Sequence, residues 1–255
     1  MVRLYNTERW INCKYKVAKN KLQRFSEMET FSCVFQPDLN TALTDSFPLK
    51  GKWNELFFKN TNPIVLELGC GKGEYTIGLA QKYPNCNFIG VDIKGARMWR
   101  GAKTATERKM PNVAFLRTRI ELIYAFFAAN EVSEIWLTFP DPQANRKKRI
   151  SKRLSSSKFL NSYRNFLVKN ATIHLKTDSD ILYAYTAALV EKNKLPVLIN
   201  TSDLYNSSQT DDILSIRTHY EALFMAKGQT IKYLKFILPD KEIIEPDKEF
   251  IENEE

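Results

Sequence analysis

Four carboxylates and three glycines mark where this chain could do chemistry. Ile64 to Gly73 reads IVLELGCGKG, so an apolar, β-branched run carrying Glu67 empties into a loop in which Gly69, Gly71 and Gly73 alternate with Cys70 and Lys72. Glycine tolerates positive φ and leaves bare backbone for a ligand to approach. Phe88-Ile89-Gly90-Val91 then ends in Asp92, nineteen residues beyond Gly73, where an acid can accept hydrogen bonds from both hydroxyls of a ribose. Asp141 sits between Pro140 and Pro142 after a further strand pattern, and Asp178 ends the one that follows. The flanking prolines fix φ on either side of Asp141 and leave its carboxylate on a stiff corner.

The loop spacing narrows the ligand. It is G-x-G-x-G rather than the dinucleotide G-x-G-x-x-G, and Glu74 opens the helix that would have to receive a pyrophosphate. A carboxylate there repels phosphate, which disfavours a dehydrogenase. Glu67 adds a second negative charge to the pocket floor. Both suit a nucleoside with a cationic centre and no phosphate, such as S-adenosylmethionine with its sulfonium and α-ammonium groups. A nucleic-acid amino-methyltransferase would place D-P-P-Y or N-P-P-Y after the fourth strand, whereas the chain has Asp141-Pro142-Gln143-Ala144.

These residues need a doubly wound sheet to bring them together. Tyr75, Leu79 and Tyr83 form one stripe of a helix after the glycine loop. Helix and strand patterns then alternate: a basic helix over Lys94–Lys109, a strand over Asn112–Leu116, a helix over Ile120–Asn130 with Leu122, Phe126 and Ala129 inward, and a strand over Glu134–Phe139. A helix with Phe159, Tyr163, Phe166 and Leu167 inward leads to the strand that ends at His174–Ser179. Ile181–Asn193 reads as a helix, Val197–Thr201 as a strand, Ile216–Lys227 as a helix and Thr230–Leu238 as a last strand. In such open sheets ligands bind beyond the carboxyl ends of the strands at the switch in strand order, here between the first and fourth strands.

Composition bounds the rest. A 255-residue chain that is 44% hydrophobic suits one globular α/β unit with a well-buried core. No apolar run approaches the roughly 18 residues of a membrane span, and no cationic-then-apolar leader opens the chain, so a cytoplasmic protein is expected. Cys13, Cys33, Cys70 and Cys86 form no C-x-x-C pair and read as reduced, packed thiols without a metal.

Charge points to a polyanionic partner. The last sixteen residues carry a net −6 against +9 for the whole chain, leaving +15 on the residues before them. Neutralising phosphates with release of counterions supplies most non-specific nucleic-acid affinity. Two clusters concentrate the charge: Arg3 to Arg24, with seven cations against Glu8, and Gln143 to Lys158, with seven cations and no acid. The first reads as a basic helix or arm. Residues 31–60 read as an irregular lead-in whose Trp53, Leu56 and Phe57 pack on the sheet edge, and Asp240–Glu255 as a solvated acidic tail. The expected division is therefore a lead-in over 1–60, a catalytic unit over 61–239 and the tail over 240–255.

Taken in order, LELGCGKG, FIGVDI, TFPDPQ with a basic run ending KRL, HLKTDS, and R-T-H-Y-E at Arg217–Glu221 followed by F-x-x-x-G resemble the single-subunit bacterial tRNA (guanine-N7)-methyltransferase family. The resemblance spans roughly residues 50–238. It implies an α/β class I methyltransferase (Rossmann-like) fold, a seven-stranded, mostly parallel sheet with helices on both faces. It further implies S-adenosylmethionine as cofactor and tRNA as substrate, methylated at a guanine of the variable loop. Glu67, Gly69, Gly71, Gly73, Asp92 and Asp141 then match cofactor positions, with Asp141 catalytic at the junction with the substrate. Asp178, Thr218, His219, Tyr220 and Glu221 match substrate positions. The chain departs from the family at Arg119, where an acid or amide commonly meets the adenine, and at Gln143, which replaces an aromatic residue. It also departs at the family lysine, whose place falls to Asn145 or Arg146, and at His219. A methyltransferase for another RNA and a non-catalytic RNA-binding module are the competing readings; the latter would leave Glu67, the glycines and Asp92 idle. A monomer and a homodimer both remain open.

Overall fold

The computed structural model describes residues 21–144, 147–207, 216, 221 and 228–247. The lead-in holds helix α1 (21–29), strand β1 (Val34–Phe35) and helix α2 (Leu39–Leu43). There follow β2 (Ile64–Leu68), α3 (Glu74–Lys82), β3 (Asn87–Asp92), α4 (Gly95–Glu107), β4 (Val113–Arg117) and β5 (Val132–Thr138). The second half contains α5 (Ser157–Tyr163), β6 (Leu167–Thr177), α6 (Asp180–Lys192), β7 (Val197–Thr201) and β8 (Lys232–Leu238).

The strands form one eight-stranded sheet in the order β1-β4-β3-β2-β5-β6-β8-β7. All pairs are parallel except those that β8 makes with β6 and β7. Seven of the strands are those expected, and the eighth is the two-residue β1, which extends the edge beside β4. The chain runs from β2 through β3 to β4 in one direction and from β5 to β6 in the other, with β8 returning between β6 and β7, so the order switches between β2 and β5. Their five and seven residues are too apolar to tolerate a solvated face: every residue of β2 is buried, as parallel strands covered on both sides require.

Alternation along β2 feeds two cores. Ile64, Leu66 and Leu68 join the layer built from α5, α6 and the aromatic lead-in, whereas Val65 joins the layer under α3 and α4. Glu67 shares Val65's face by the two-residue period of a strand. The lead-in is more ordered than its composition suggests. Trp53–Phe58 makes one π-helical turn, which puts Trp53 and Phe58, five residues apart, inside together while Leu56 faces solvent at 47% exposure. Trp53 packs edge-on to Phe35 at 5.0 Å and stacks on Phe127 at 5.7 Å, and its Nε1 donates to the Phe126 carbonyl at 2.9 Å.

Further local expectations fail, among them the helix expected to carry Leu167, which ends at Tyr163 before Leu167 opens β6. The helix expected over Ile120–Asn130 is a 3-10 segment over Ile120–Ala125, and Ala129 is exposed. Consecutive Phe126 and Phe127 are both 1% exposed, a pairing that no single helical stripe provides. The acidic stretch also docks over its first half: Ile243 is 2% exposed between α5 and α6. Most of the amino-terminal basic cluster, 248–255 and most of the expected helix over Ile216–Lys227 lie outside the described residues. Lys21 and Arg24 of that cluster are described, and Arg24 lies over the Trp99 ring of α4 at 4.8 Å.

Candidate active site

A cavity of about 800 Å³ opens at the carboxyl ends of β2, β3, β5 and β6, across the switch in strand order. That volume suits a ligand of nucleoside size or larger. The glycine loop forms one wall. Gly69, Gly71 and Gly73 have φ of +81°, +54° and +70°, conformations that cost a side-chain residue roughly 1 kcal/mol or more. At Gly73 space matters as well as φ, because an added Cβ would stand 2.6 Å from the Phe115 ring. Gly69 and Cys70 donate their amides to the Val91 carbonyl at 2.8 and 3.1 Å, which binds the loop to the end of β3.

Asp92 braces the same loop from below. One carboxylate oxygen accepts from Gly71 N at 2.9 Å and the other from Lys94 N at 2.7 Å. It lines the cavity with Ile93, an exposed apolar residue that offers a flat aliphatic surface. Arg119 also lines the cavity, next to Ile120 and Glu121.

Glu67 is the buried acid of the floor. Its carboxylate accepts from Thr76 N at 2.8 Å and from the hydroxyls of Thr76 and Thr138, so it joins α3 to the end of β5. Burial pushes its pKa from the ordinary 4.5 up to about 7, against the lowering effect of both threonines; the nearby Asp92 charge acts in the same direction as burial. Sequence reading missed Thr76 and Thr138. A threonine at each strand or helix end beside an acid was the available signal.

Asp141 lies exposed on the cavity wall, and its carboxylate accepts from Gln143 N at 2.9 Å. The residues on either side of the Pro-Asp-Pro corner, Phe139 and Gln143, have left-handed φ of +48° and +52°. Asp178 reaches the cavity from the end of β6. It is half-buried, burial raises its pKa, and its carbonyl accepts from Lys232 Nζ at 3.0 Å. Ser179, which caps α6 by accepting from Leu182 N, fixes the backbone immediately after it.

Lys72, Lys94, Arg97, Arg119 and Lys152 put cations around the acidic floor. Three ligand-facing requirements therefore meet in one place: bare glycine backbone, buried and half-buried carboxylates, and a basic rim.

Glu221 is not brought to this cavity. It is fully buried, its carboxylate paired with Lys176 Nζ at 2.8 Å and bonded by the Tyr205 hydroxyl. Lys176 also donates to the Ile216 carbonyl at 3.4 Å, so it joins both Glu221 and Ile216 to the sheet. Asn145, Arg146, Thr218, His219 and Tyr220 lie outside the described residues. Among those described, no group of three or more His, Cys, Asp or Glu could hold a metal ion.

Residues 61–234 match a family model described as a putative methyltransferase. The tRNA (guanine-N(7)-)-methyltransferase of Bacteroides fragilis is 54% identical over 231 residues, 90% of this chain and 90% of that one. The chain belongs to this family. The tRNA (guanine-N(7)-)-methyltransferase of Porphyromonas gingivalis is 55% identical over 224 residues, 86% of this chain and 91% of its own. Among solved structures the 16S rRNA methyltransferase KamB matches with a TM-score of 0.55 over 72% of this chain and 92% of that chain. At 14% identity that likeness speaks for the class I methyltransferase fold. The motifs that resembled tRNA (guanine-N7)-methyltransferases thus belong to a chain of that family, and its cavity occupies the position that an open α/β sheet gives its ligands.

Proposed function

We propose that the protein transfers a methyl group from S-adenosylmethionine to N7 of a guanine in the variable loop of tRNA. The observation that carries this reading is one cavity lined by both a glycine loop over Asp92 and the two strand-end acids Asp141 and Asp178. When bound, S-adenosylmethionine supplies an electrophilic methyl group on a sulfonium. The residues present fit such a molecule: Glu67 and Asp92 would answer its positive charge and ribose hydroxyls, and Gly69 and Gly71 leave the wall free of side chains.

Guanine N7 carries an in-plane lone pair and no proton, so no general base is needed to begin the reaction. The protein's work is alignment and charge. Positive charge develops on the imidazole ring of the base as the methyl group arrives, and a preorganised carboxylate near that ring favours the transition state. Asp141 takes this role. Asp178 can accept from guanine N1–H and N2–H₂, a pattern that adenine cannot present. Lys152 and Arg97 on the rim attract the phosphates around the target base.

The methyltransferase unit is assigned to 61–239, with 1–60 and 240–255 as flanking segments, in a cytoplasmic protein that acts as a monomer or homodimer. No helix among the described residues is long and apolar enough to cross a membrane. Incubation with labelled S-adenosylmethionine and unmodified tRNA, followed by mass spectrometry of nucleosides and of ribonuclease fragments, should give N7-methylguanosine at one variable-loop position. Label in a different nucleoside, or none, overturns the assignment.

A further inference from the structure

One cation of the run after the Pro-Asp-Pro corner does not face solvent. Lys152 and Lys158 are exposed and Arg149 is half-buried, whereas Arg153 is 1% exposed. Its Nε donates to the Pro142 carbonyl at 3.0 Å, and its guanidinium carbon lies 4.4 Å from the centre of the Tyr185 ring on α6. The fixed fork and flat face of a guanidinium serve both contacts at once.

Tyr185 is itself held by the acidic stretch. Its hydroxyl donates to Glu245, whose other oxygen accepts from Ser157 N at 3.1 Å and Ser157 Oγ at 2.8 Å at the start of α5. Two asparagine side chains grip the backbone just before it. Asn161 accepts from Ile243 N at 2.9 Å and donates to the Ile243 carbonyl at 2.8 Å, and Asn193 does the same for Ile244 at 2.9 and 2.8 Å. The strap 243–245 is therefore built into the fold, and it meets Pro142 through two buried side chains.

The corner needs such support. Two non-glycine residues with left-handed φ flank it, and such backbone persists only where its surroundings over-determine it. We propose that Arg153 is a positioning residue that holds the Asp141 corner from behind, and that the strap 243–245 fixes the Tyr185 platform on which Arg153 rests. This inference depends on the methyl-transfer reading for its catalytic consequence, though the support of the corner is testable without it.

Arg153→Lys keeps the charge and the stem but puts a methylene where the Nε–H stands. In saturating tRNA and donor its kcat should fall tenfold or more, because small misplacements of a reacting group are costly. KM for tRNA and the calorimetric Kd for S-adenosylhomocysteine should stay within threefold of the parent. Amide hydrogen exchange at residues 139–143 should rise in the same variant, a readout that does not need activity. Tyr185→Phe, which keeps the ring and removes the hydroxyl that donates to Glu245, should lower kcat about threefold with KM unchanged; it decides the matter if Arg153→Lys does not fold. An Arg153→Lys protein with parental kcat and corner exchange but a raised, salt-sensitive KM would make Arg153 an RNA contact and overturn the proposal. A parent protein without methylation activity would remove the function instead, leaving exchange at the corner to judge the support.

Discussion

Replacing Glu67 by glutamine should make the protein more stable at alkaline pH and worse at holding its methyl donor. The Glu67 carboxyl is 4% exposed, and its pKa is pushed up to about 7 from an ordinary 4.5. The folded state therefore holds this proton to a higher pH than the unfolded chain does. Between those two values folding takes up a proton, and stability falls as pH rises; the penalty is absent well below the lower value and complete above the upper one. That gap corresponds to roughly 3 kcal/mol, most of which develops between pH 5 and pH 8. Glutamine carries no charge to desolvate. Its oxygen can accept from Thr76 N as Glu67 does, and the Thr138 hydroxyl can turn to accept from its amide, so both threonines keep a partner. Urea unfolding near pH 5 and near pH 8 should show the variant gaining about 2–3 kcal/mol on the parent over that interval. Calorimetry near pH 8 should show S-adenosylmethionine bound at least tenfold more weakly. Unfolding free energies of variant and parent that run parallel across the interval would refute the account of Glu67 as a carboxylate ionised at a cost.

Asp178→Ala should lower methylation of tRNA by about 10²-fold or more, the scale of losing two hydrogen bonds to a charged acceptor at roughly 1.5–3 kcal/mol each, while the donor Kd moves less than threefold; loss of both together would refute the separation of donor and base sites. Gly73→Ala puts a Cβ 2.6 Å from the Phe115 ring at a φ of +70°, and should cost roughly 2–4 kcal/mol in chemical denaturation. An unchanged denaturation midpoint would contradict it. Lys176→Met leaves the Glu221 carboxylate buried without its cation and should cost roughly 3–5 kcal/mol, most of it recovered in the double variant Lys176→Met/Glu221→Leu. A silent single variant would show that the Glu221 carboxylate does not depend on Lys176 for its charge.

The site was legible where its chemistry is local. Glu67, the three loop glycines and Asp92 could be placed because strand, loop and helix are encoded within neighbouring residues, and Asp141 and Asp178 because each ends an apolar strand. The lead-in was poorly legible: Trp53 and Phe58 are buried together by a π turn, a period that ordinary helix and strand templates do not test. Charge was the least legible property. Arg153 reads as one more cation of a nucleic-acid-binding run and Glu221 as part of a substrate motif, yet both are buried.

The sequence by itself determined the order of strands and helices, the glycine loop and the acids at strand ends, since backbone preference and hydrophobic period act over a few residues. Tertiary structure alone decided which charges meet solvent and which meet each other. Arg153 finds Tyr185, Lys176 finds Glu221 and Ser157 finds Glu245 across separations of 32 to 88 residues. The energy of a charged group depends on how far water is excluded around it, and that is set by the packed sheet and its helices rather than by the residue's neighbours in the chain.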